Sequence, residues 1–252
     1  MTAPAFTPVP RTVAAVFAGQ IGRARAGGGA VVLVATVQAL AILVLLHGMG
    51  GSPGQGSRAA VTAGATFSVA AFIGWNLLAQ RTSALKHGGG LEYYGTLPVR
   101  PAAVVLGFCA CYGAFALPGI ALSALAGTSL FALPTAHLWV LVPATVTSCL
   151  LFSALGALSG LGFRRPETAA LAGQLGLTLA MFVGLVPPQS LPGWLTPLRA
   201  ALPLAYDVDA LASALSAHPH WTAITARLLG SALAGACCLA LASRAYRSAL
   251  DE

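Results

Sequence analysis

Long apolar runs, separated by short segments that carry nearly all of the charge, make up most of this chain. An α-helix needs roughly 20 apolar residues to cross about 30 Å of hydrocarbon, and six of the runs are about that long. The pattern therefore predicts an all-α integral membrane protein with six transmembrane helices. The predicted spans are residues 29–46, 59–79, 102–126, 138–161, 168–186 and 223–243. The third and fourth runs are long enough to be tilted or broken, and the expected place is Pro118 in the third, which lacks a backbone donor.

Composition supports the membrane assignment and excludes a soluble globule. Hydrophobic residues make up 57% of the 252 residues and charged residues only 8%, and the mean hydropathy is +0.82. A soluble domain carries about 25% charged residues. Most of the exterior of this protein must therefore face lipid.

The basic residues predict the orientation of the spans, because Lys and Arg in short loops favour the cytoplasmic side. Ten of the thirteen fall on one side of the predicted map: Arg11, Arg23, Arg25, Arg81, Lys86, Arg100, Arg164, Arg165, Arg244 and Arg247. Both termini are therefore predicted to be cytoplasmic. The net charge of +7 is interpreted as contact with anionic lipid headgroups, and no nucleic-acid partner is expected.

The segments outside the bilayer complete the predicted domain organisation, with residues 1–28 before the transmembrane domain of residues 29–243 and a cytosolic tail at 244–252. In the first segment Val13, Val16, Phe17 and Ile21 recur at helical spacing beside arginines. This pattern is typical of an amphipathic helix in the inner membrane interface. An unstructured basic tail is the alternative.

Candidate chemistry within the chain is sparse. The sequence has no phosphate-binding loop of the G-x-x-x-x-G-K-[ST] type and no H-E-x-x-H or G-x-S-x-G motif, so the chain is not expected to be an enzyme by itself. The five cysteines all lie in predicted spans as packing residues, and His218 and His220 lack a third metal ligand nearby. No metal is expected. No acidic residue lies inside a predicted span, which disfavours a proton-coupled carrier.

Two loops contain more than a membrane connection requires. The inner loop from Arg81 to Pro101 is unusually polar for this protein. The outer loop, residues 187–221, has amphipathic stretches between prolines, and it predicts short helices near residues 194–201 and 206–217 that dip toward the outer interface. Arg227, about one turn inside the sixth span, is expected to snorkel outward; pairing with Asp207 or Asp209 is the alternative.

The inner segment LEYYGTLPVRP, residues 91–101, resembles the inner loop of the type-2 family of ATP-binding cassette exporter permeases, where a glutamate and a G-T-L element precede the third span. The outer loop is similar to that family's stretch between the fifth and sixth spans. Its matching residues are Pro192, Gly193, Trp194, Pro203, Tyr206 and Asp209. With six spans and inside termini, the resemblance covers nearly the whole chain.

The resemblance implies a cytosolic coupling helix that contacts a separate ATPase subunit. Its residues would be Glu92, Tyr93, Tyr94, Gly95, Thr96, Leu97 and Pro98. Arg164 and Arg165 would form a second contact, although topology alone also explains them. The resemblance also implies a second permease subunit, identical or different. The chain itself would bind no cofactor, because ATP and Mg²⁺ would be held by the partner ATPase.

Three amide side chains are candidates for the transport path, because the family places spans one, two and five near the dimer midline: Gln38, Asn76 and Gln174. Buried amides also bond neighbouring helices, and for each residue this alternative stays open. The fourth span carries Gly156 and Gly160 at small-x-x-x-small spacing, which predicts close helix packing.

Together these observations predict a multi-pass exporter permease of the bacterial cytoplasmic membrane. High Ala and Gly usage supports a bacterial source. The predicted cargo is an amphipathic or hydrophobic compound such as a drug, an antibiotic or a lipid-like molecule, because polar positions in the spans are few. A secondary carrier or scramblase without an ATPase, and a non-transporting membrane scaffold, are the alternatives.

Overall fold

The computed structural model describes residues 8–24, 28–48, 55–96, 99–186, 193, 199 and 202–250. Over these residues it is helical, without strands. The α-helices are α1 (Val9–Ala24), α2 (Gly28–Gly48), α3 (Gln55–Ala70), α4 (Leu78–His87), α5 (Gly90–Gly95), α6 (Pro101–Leu130), α7 (Leu141–Gly162), α8 (Pro166–Leu185), α9 (Tyr206–Ala214) and α10 (Trp221–Leu250). A π-helical turn, Ala71–Leu77, joins α3 to α4, and 3₁₀ turns cover Leu138–Val140 and Pro203–Ala205.

Five of the described helical stretches are long and apolar enough to cross a membrane: Gly29–Gly48, Gly56–His87, Pro101–Leu130, Leu138–Gly162 and Trp221–Leu250. They overlap the first, second, third, fourth and sixth predicted spans. A helix, α8, also occupies the position of the predicted fifth span. The all-helical membrane class is thus confirmed, while the sixth crossing, the orientation and the domain boundaries stay predictions.

The helices differ from the predicted spans in two details. The second span continues as α4 to His87, beyond the predicted end at residue 79. Helix α6 runs through Pro118 without interruption for 30 residues. A single proline removes one backbone hydrogen bond, but in hydrocarbon every other N–H and C=O in the segment still requires its helical partner. The helix is therefore retained around Pro118.

Hydroxyl side chains within the spans are satisfied largely by their own helices. Thr36 Oγ1 donates to the carbonyl of Val32 at 2.7 Å, and Thr66 Oγ1 donates to that of Thr62 at 2.7 Å. The same i−4 pattern recurs at Thr82 and Thr128. Because these hydroxyls have backbone partners, they can lie in apolar helices at little desolvation cost.

Glycines on α7 bring the helices close together, as their spacing predicts. The backbone of the π-helical turn at Gly74 and Trp75 lies directly against Gly156, and Thr82 and its neighbours on α4 lie against Gly160. Lipid provides no hydrophobic drive for helix association, so such close backbone approach supplies the packing contacts that hold membrane helices together. Helix α7 also packs extensively along α10.

Helix α1 is present where the amphipathic pattern predicts a helix. Its side chains at Thr12, Val16 and Gln20 are buried, and Val16 packs directly on Gly107 of α6. The side of α1 that carries these three residues is therefore covered by the bundle. The exposed side remains available to the membrane interface, and an unstructured tail is excluded over Val9–Ala24.

Aromatic rings cluster at the end of the bundle where α10 begins. The ring of Trp139 stacks on that of Trp221 with centroids 5.6 Å apart, and His137 meets Trp221 edge-on at 5.2 Å. Trp139 is 60% exposed. Amphipathic rings of this kind are enriched where a membrane protein meets the headgroups, which is consistent with a span boundary here.

Candidate functional site

The predicted coupling segment forms the short helix α5 at one end of the bundle. Gly89 initiates it with φ of 71°, a left-handed conformation that glycine adopts without strain. Glu92 and Thr96 are exposed on α5 and just after it, while Leu91 and Tyr94 are buried. Tyr93 and Gly95 belong to the helix, and Leu97 and Pro98 lie outside the described residues. Helix α5 thus exposes the Glu92 carboxylate, while Leu91 and Tyr94 pack against the bundle.

Tyr94 fastens α5 to two other helices. Gln20 Nε2 of α1 donates a hydrogen bond to Tyr94 Oη at 3.0 Å. The Tyr94 ring meets Phe108 of α6 edge-on, with centroids 5.6 Å apart. Edge-to-face aromatic pairs and buried hydrogen bonds each contribute about 1 kcal/mol. Side-chain contacts therefore link α5 to both α1 and α6.

The second predicted contact lies beside the end of α4. His87 Nε2 is 2.8 Å from the carbonyl oxygen of Arg164, and Lys86 Nζ donates to the carbonyl of Leu161 at 3.4 Å. Arg164 and Arg165 are exposed. The two loops, which are more than 60 residues apart in sequence, thus belong to one surface. It is named the inner surface after its predicted side of the membrane and consists of α5, the α4 end and residues 163–167.

Replacing Tyr94 with Ala tests the docking of α5. We expect amide hydrogen exchange over residues 90–96 to accelerate by about tenfold, because the lost ring contact and hydrogen bond together amount to about 1–2 kcal/mol. Exchange measured by mass spectrometry on the purified protein gives the rates. Glu92→Ala, at an exposed position of the same helix, is the control and should leave them unchanged; equal acceleration in both variants would disprove the anchoring role.

The three candidate path residues occupy different environments. Gln38 is half-buried, and its Nε2 lies 3.3 Å from Met181 Sδ of α8. Asn76 is buried in the π-helical turn and accepts a hydrogen bond from Gln80 Nε2 at 3.0 Å, with Gly173 of α8 packed against it. Gln174 is exposed on α8. Helix α8 thus lies beside two of the residues and carries the third.

The outer-loop motif surrounds the start of α9. Pro203 opens a 3₁₀ turn and Tyr206 begins the helix. Arg199 makes two hydrogen bonds with the carboxylate of Asp209, at 2.7 and 2.8 Å. Arg227 donates to the backbone carbonyl of Asp209 at 3.2 Å, which is a contact with this segment but not the expected pairing with a carboxylate. Pro192, Trp194 and most of the predicted helix at 194–201 lie outside the described residues, and Gly193 is exposed.

One polar cluster, around Asp207, is not predicted by the sequence pattern. The carboxylate of Asp207, in the first turn of α9, accepts hydrogen bonds from Thr147 Oγ1 at 2.6 Å, Ser148 Oγ at 2.8 Å and Ser231 Oγ at 2.6 Å. These hydroxyls belong to α7 and α10, two membrane spans. A hydroxyl in an apolar run ordinarily bonds its own helix, so sequence spacing contained no signal that these three would meet.

The helical bundle, with five candidate spans among its described residues and a docked helix on its inner surface, is that of a multi-pass membrane protein. Residues 14–215 match the family model described as ABC-2 type transporter, so the chain belongs to that family of transporter membrane subunits. Members of the family are membrane components of transporters and are not themselves catalytic. Membership implies association with an ATP-binding cassette ATPase. A comparison with curated protein sequences finds no match.

Proposed function

We propose that this protein is the permease subunit of an ATP-binding cassette exporter in the bacterial cytoplasmic membrane. Two permease subunits, identical or different, would pair and work with separate cytosolic ATPase subunits that hold ATP and Mg²⁺. Alternating access driven by the ATPases would move an amphipathic or hydrophobic compound outward. Family membership and the helical architecture support the permease role.

The exposed Glu92 on the docked helix α5 carries the coupling part of the proposal. A helix of six residues has little stability in isolation, yet α5 is held by Tyr94 against α1 and α6. Such an arrangement suits a rigid contact that converts movement of a bound subunit into movement of spans. The neighbouring Arg164 and Arg165 add two exposed cations to the same surface.

In a bilayer, exposed apolar side chains face either lipid or another subunit, and the proposed pairing would use those of two helices. Helices α2 and α8 carry a series of them: Leu33, Val34, Val37, Val44, Leu45, Leu171, Leu175, Leu179 and Phe182. The amide side chains of Gln38 and Gln174 lie on the same two helices. A cavity formed between two such subunits would be apolar with a few amide groups, which suits an amphipathic molecule better than a sugar polymer.

The proposal is tested by coexpressing the chain with the ATPase encoded beside it and isolating the complex through a tag on this chain. Wild type should retain the ATPase, and the complex should hydrolyse ATP. Glu92→Arg should lose the ATPase or reduce cargo-stimulated turnover by about tenfold or more. The new arginine would repel a basic group of the ATPase that the Glu92 carboxylate attracts.

Ser248→Arg is the matched control, because it adds the same side chain at an exposed position near the end of α10. It should retain both ATPase and turnover. If wild type associates with no ATPase, the secondary carrier and the scaffold become the better interpretations. If Glu92→Arg behaves like Ser248→Arg, the permease role stands but α5 is not its coupling contact.

A further inference from the structure

Asp207 is the only fully buried acidic side chain among the described residues, at 2% exposure. Its three hydrogen-bond partners are all hydroxyls, from Thr147 and Ser148 of α7 and Ser231 of α10. The ring of Tyr206, the preceding residue, packs against Gly230. Asp207 therefore lies at the point where α9 is held between two spans, at the end of the bundle opposite α5.

No basic nitrogen of the described residues lies within 4 Å of the Asp207 carboxylate. Helix α9 packs against α3, α7, α10 and the 3₁₀ turns. The charged or titratable groups that these elements and the adjoining residues carry near this end of the bundle are Arg58, His137, Cys149, Arg199, Tyr206, Asp209 and Arg227. Arg199 binds the Asp209 carboxylate and Arg227 the Asp209 carbonyl, so both arginines bond to Asp209.

Burial without a counter-charge disfavours the ionised carboxyl. Loss of water raises the pKa of Asp207 to about 6, against the lowering effect of hydrogen bonds from Ser231, Thr147 and Ser148. A hydroxyl can accept as well as donate, so the three partners can also serve the protonated form. The cluster can therefore hold Asp207 in either protonation state.

We propose that Asp207 is a proton-binding site, and that its protonated form holds α9 between α7 and α10 more firmly than its carboxylate does. When α9 separates from the spans, the carboxyl returns to water and to its ordinary pKa. The docked carboxyl thus takes up a proton at a higher pH than the undocked one. Docking of α9 strengthens as the pH falls through about 6, and it is weakest above that value.

The site does not depend on the proposed transport function. If the predicted orientation is correct, α9 faces the exterior, and an acidic exterior would favour the docked position of α9. One consequence does rest on the proposed function: in an exporter, α9 would respond to the pH on the side where the cargo leaves.

Hydrogen exchange over residues 206–214 of the purified protein, corrected for the intrinsic pH dependence of exchange, tests the proposal. In wild type the opening constant of α9 should fall by about tenfold between pH 7.5 and pH 5. In Asp207→Asn it should not change with pH. Asp209→Asn is the matched control on the same helix; it should loosen α9 by loss of the Arg199 pair, yet keep the pH dependence.

Ser231→Ala provides a second test that retains Asp207. Removing a hydrogen bond that favours the carboxylate should move the midpoint of the pH-dependent exchange to higher pH. An unchanged midpoint in Ser231→Ala, a wild-type protein without pH dependence, or a pH dependence that persists in Asp207→Asn would each overturn the proposal.

Discussion

Replacing Gly156 with Ala should destabilise the protein by about 2 kcal/mol or more and lower its melting temperature by about 5 °C. An added Cβ would collide with the backbone carbonyls of Gly74 and Trp75 in the π-helical turn. Backbone cannot rotate aside as a flexible side chain does, so α7 must move away from the second span. Thermal unfolding of the purified protein in detergent measures the effect.

Gly162→Ala is the control for this prediction. Gly162 ends the same helix, and a Cβ placed there would have no heavy atom within 4 Å. The control should therefore be close to wild type in melting temperature. A second substitution, Gly160→Ala, should resemble Gly156→Ala because its Cβ would meet Thr82 and the backbone of α4. Similar melting temperatures for Gly156→Ala and Gly162→Ala would show that α7 packs differently.

Replacing Trp75 with Ala should be the other strongly destabilising change, by about 3 kcal/mol. The indole of Trp75 packs directly against Gly176 of α8, and its Nε1 donates to Ser159 Oγ of α7 at 3.2 Å. Removing the indole would open a cavity between three helices and would also remove the hydrogen bond to Ser159. The same thermal unfolding measurement applies, and Trp75→Phe should recover part of the loss because it retains an aromatic ring.

Trp139→Ala tests whether any tryptophan has this effect. Trp139 is 60% exposed and contacts Trp221 by stacking, so its removal opens no cavity among the spans. We expect a loss of about 1 kcal/mol or less. Should Trp139→Ala match Trp75→Ala, the packing role of the π-helical turn is not supported.

On the inner surface, the sequence motif predicts the short helix but not the contacts that hold it. The segment from Glu92 to Pro98 was recognisable because its residues are contiguous, and a helix is found at α5. The contact of Tyr94 with Gln20 joins residues 74 positions apart. Nothing in the local spacing around Gln20 distinguishes it from any other polar residue of an amphipathic helix.

The class of this protein and the positions of its apolar helices are predictable from local sequence. That information is local, because a backbone in hydrocarbon must satisfy its hydrogen bonds within the segment, and a run of about 20 apolar residues has one way to do so. The small-residue spacing at Gly156 and Gly160 was likewise readable, since it belongs to one face of one helix.

Three features depend on tertiary packing and could not be predicted from the sequence. They are the helices that those glycines approach, the position of the π-helical turn and the surroundings of Asp207. Thr147, Ser148 and Ser231 are separated from Asp207 by 60, 59 and 24 positions. Helix association in lipid depends on shape and on hydrogen bonds between helices, and neither has a period along the chain. The sequence therefore placed Asp207 in an outer loop, whereas packing surrounds it with hydroxyls of two spans.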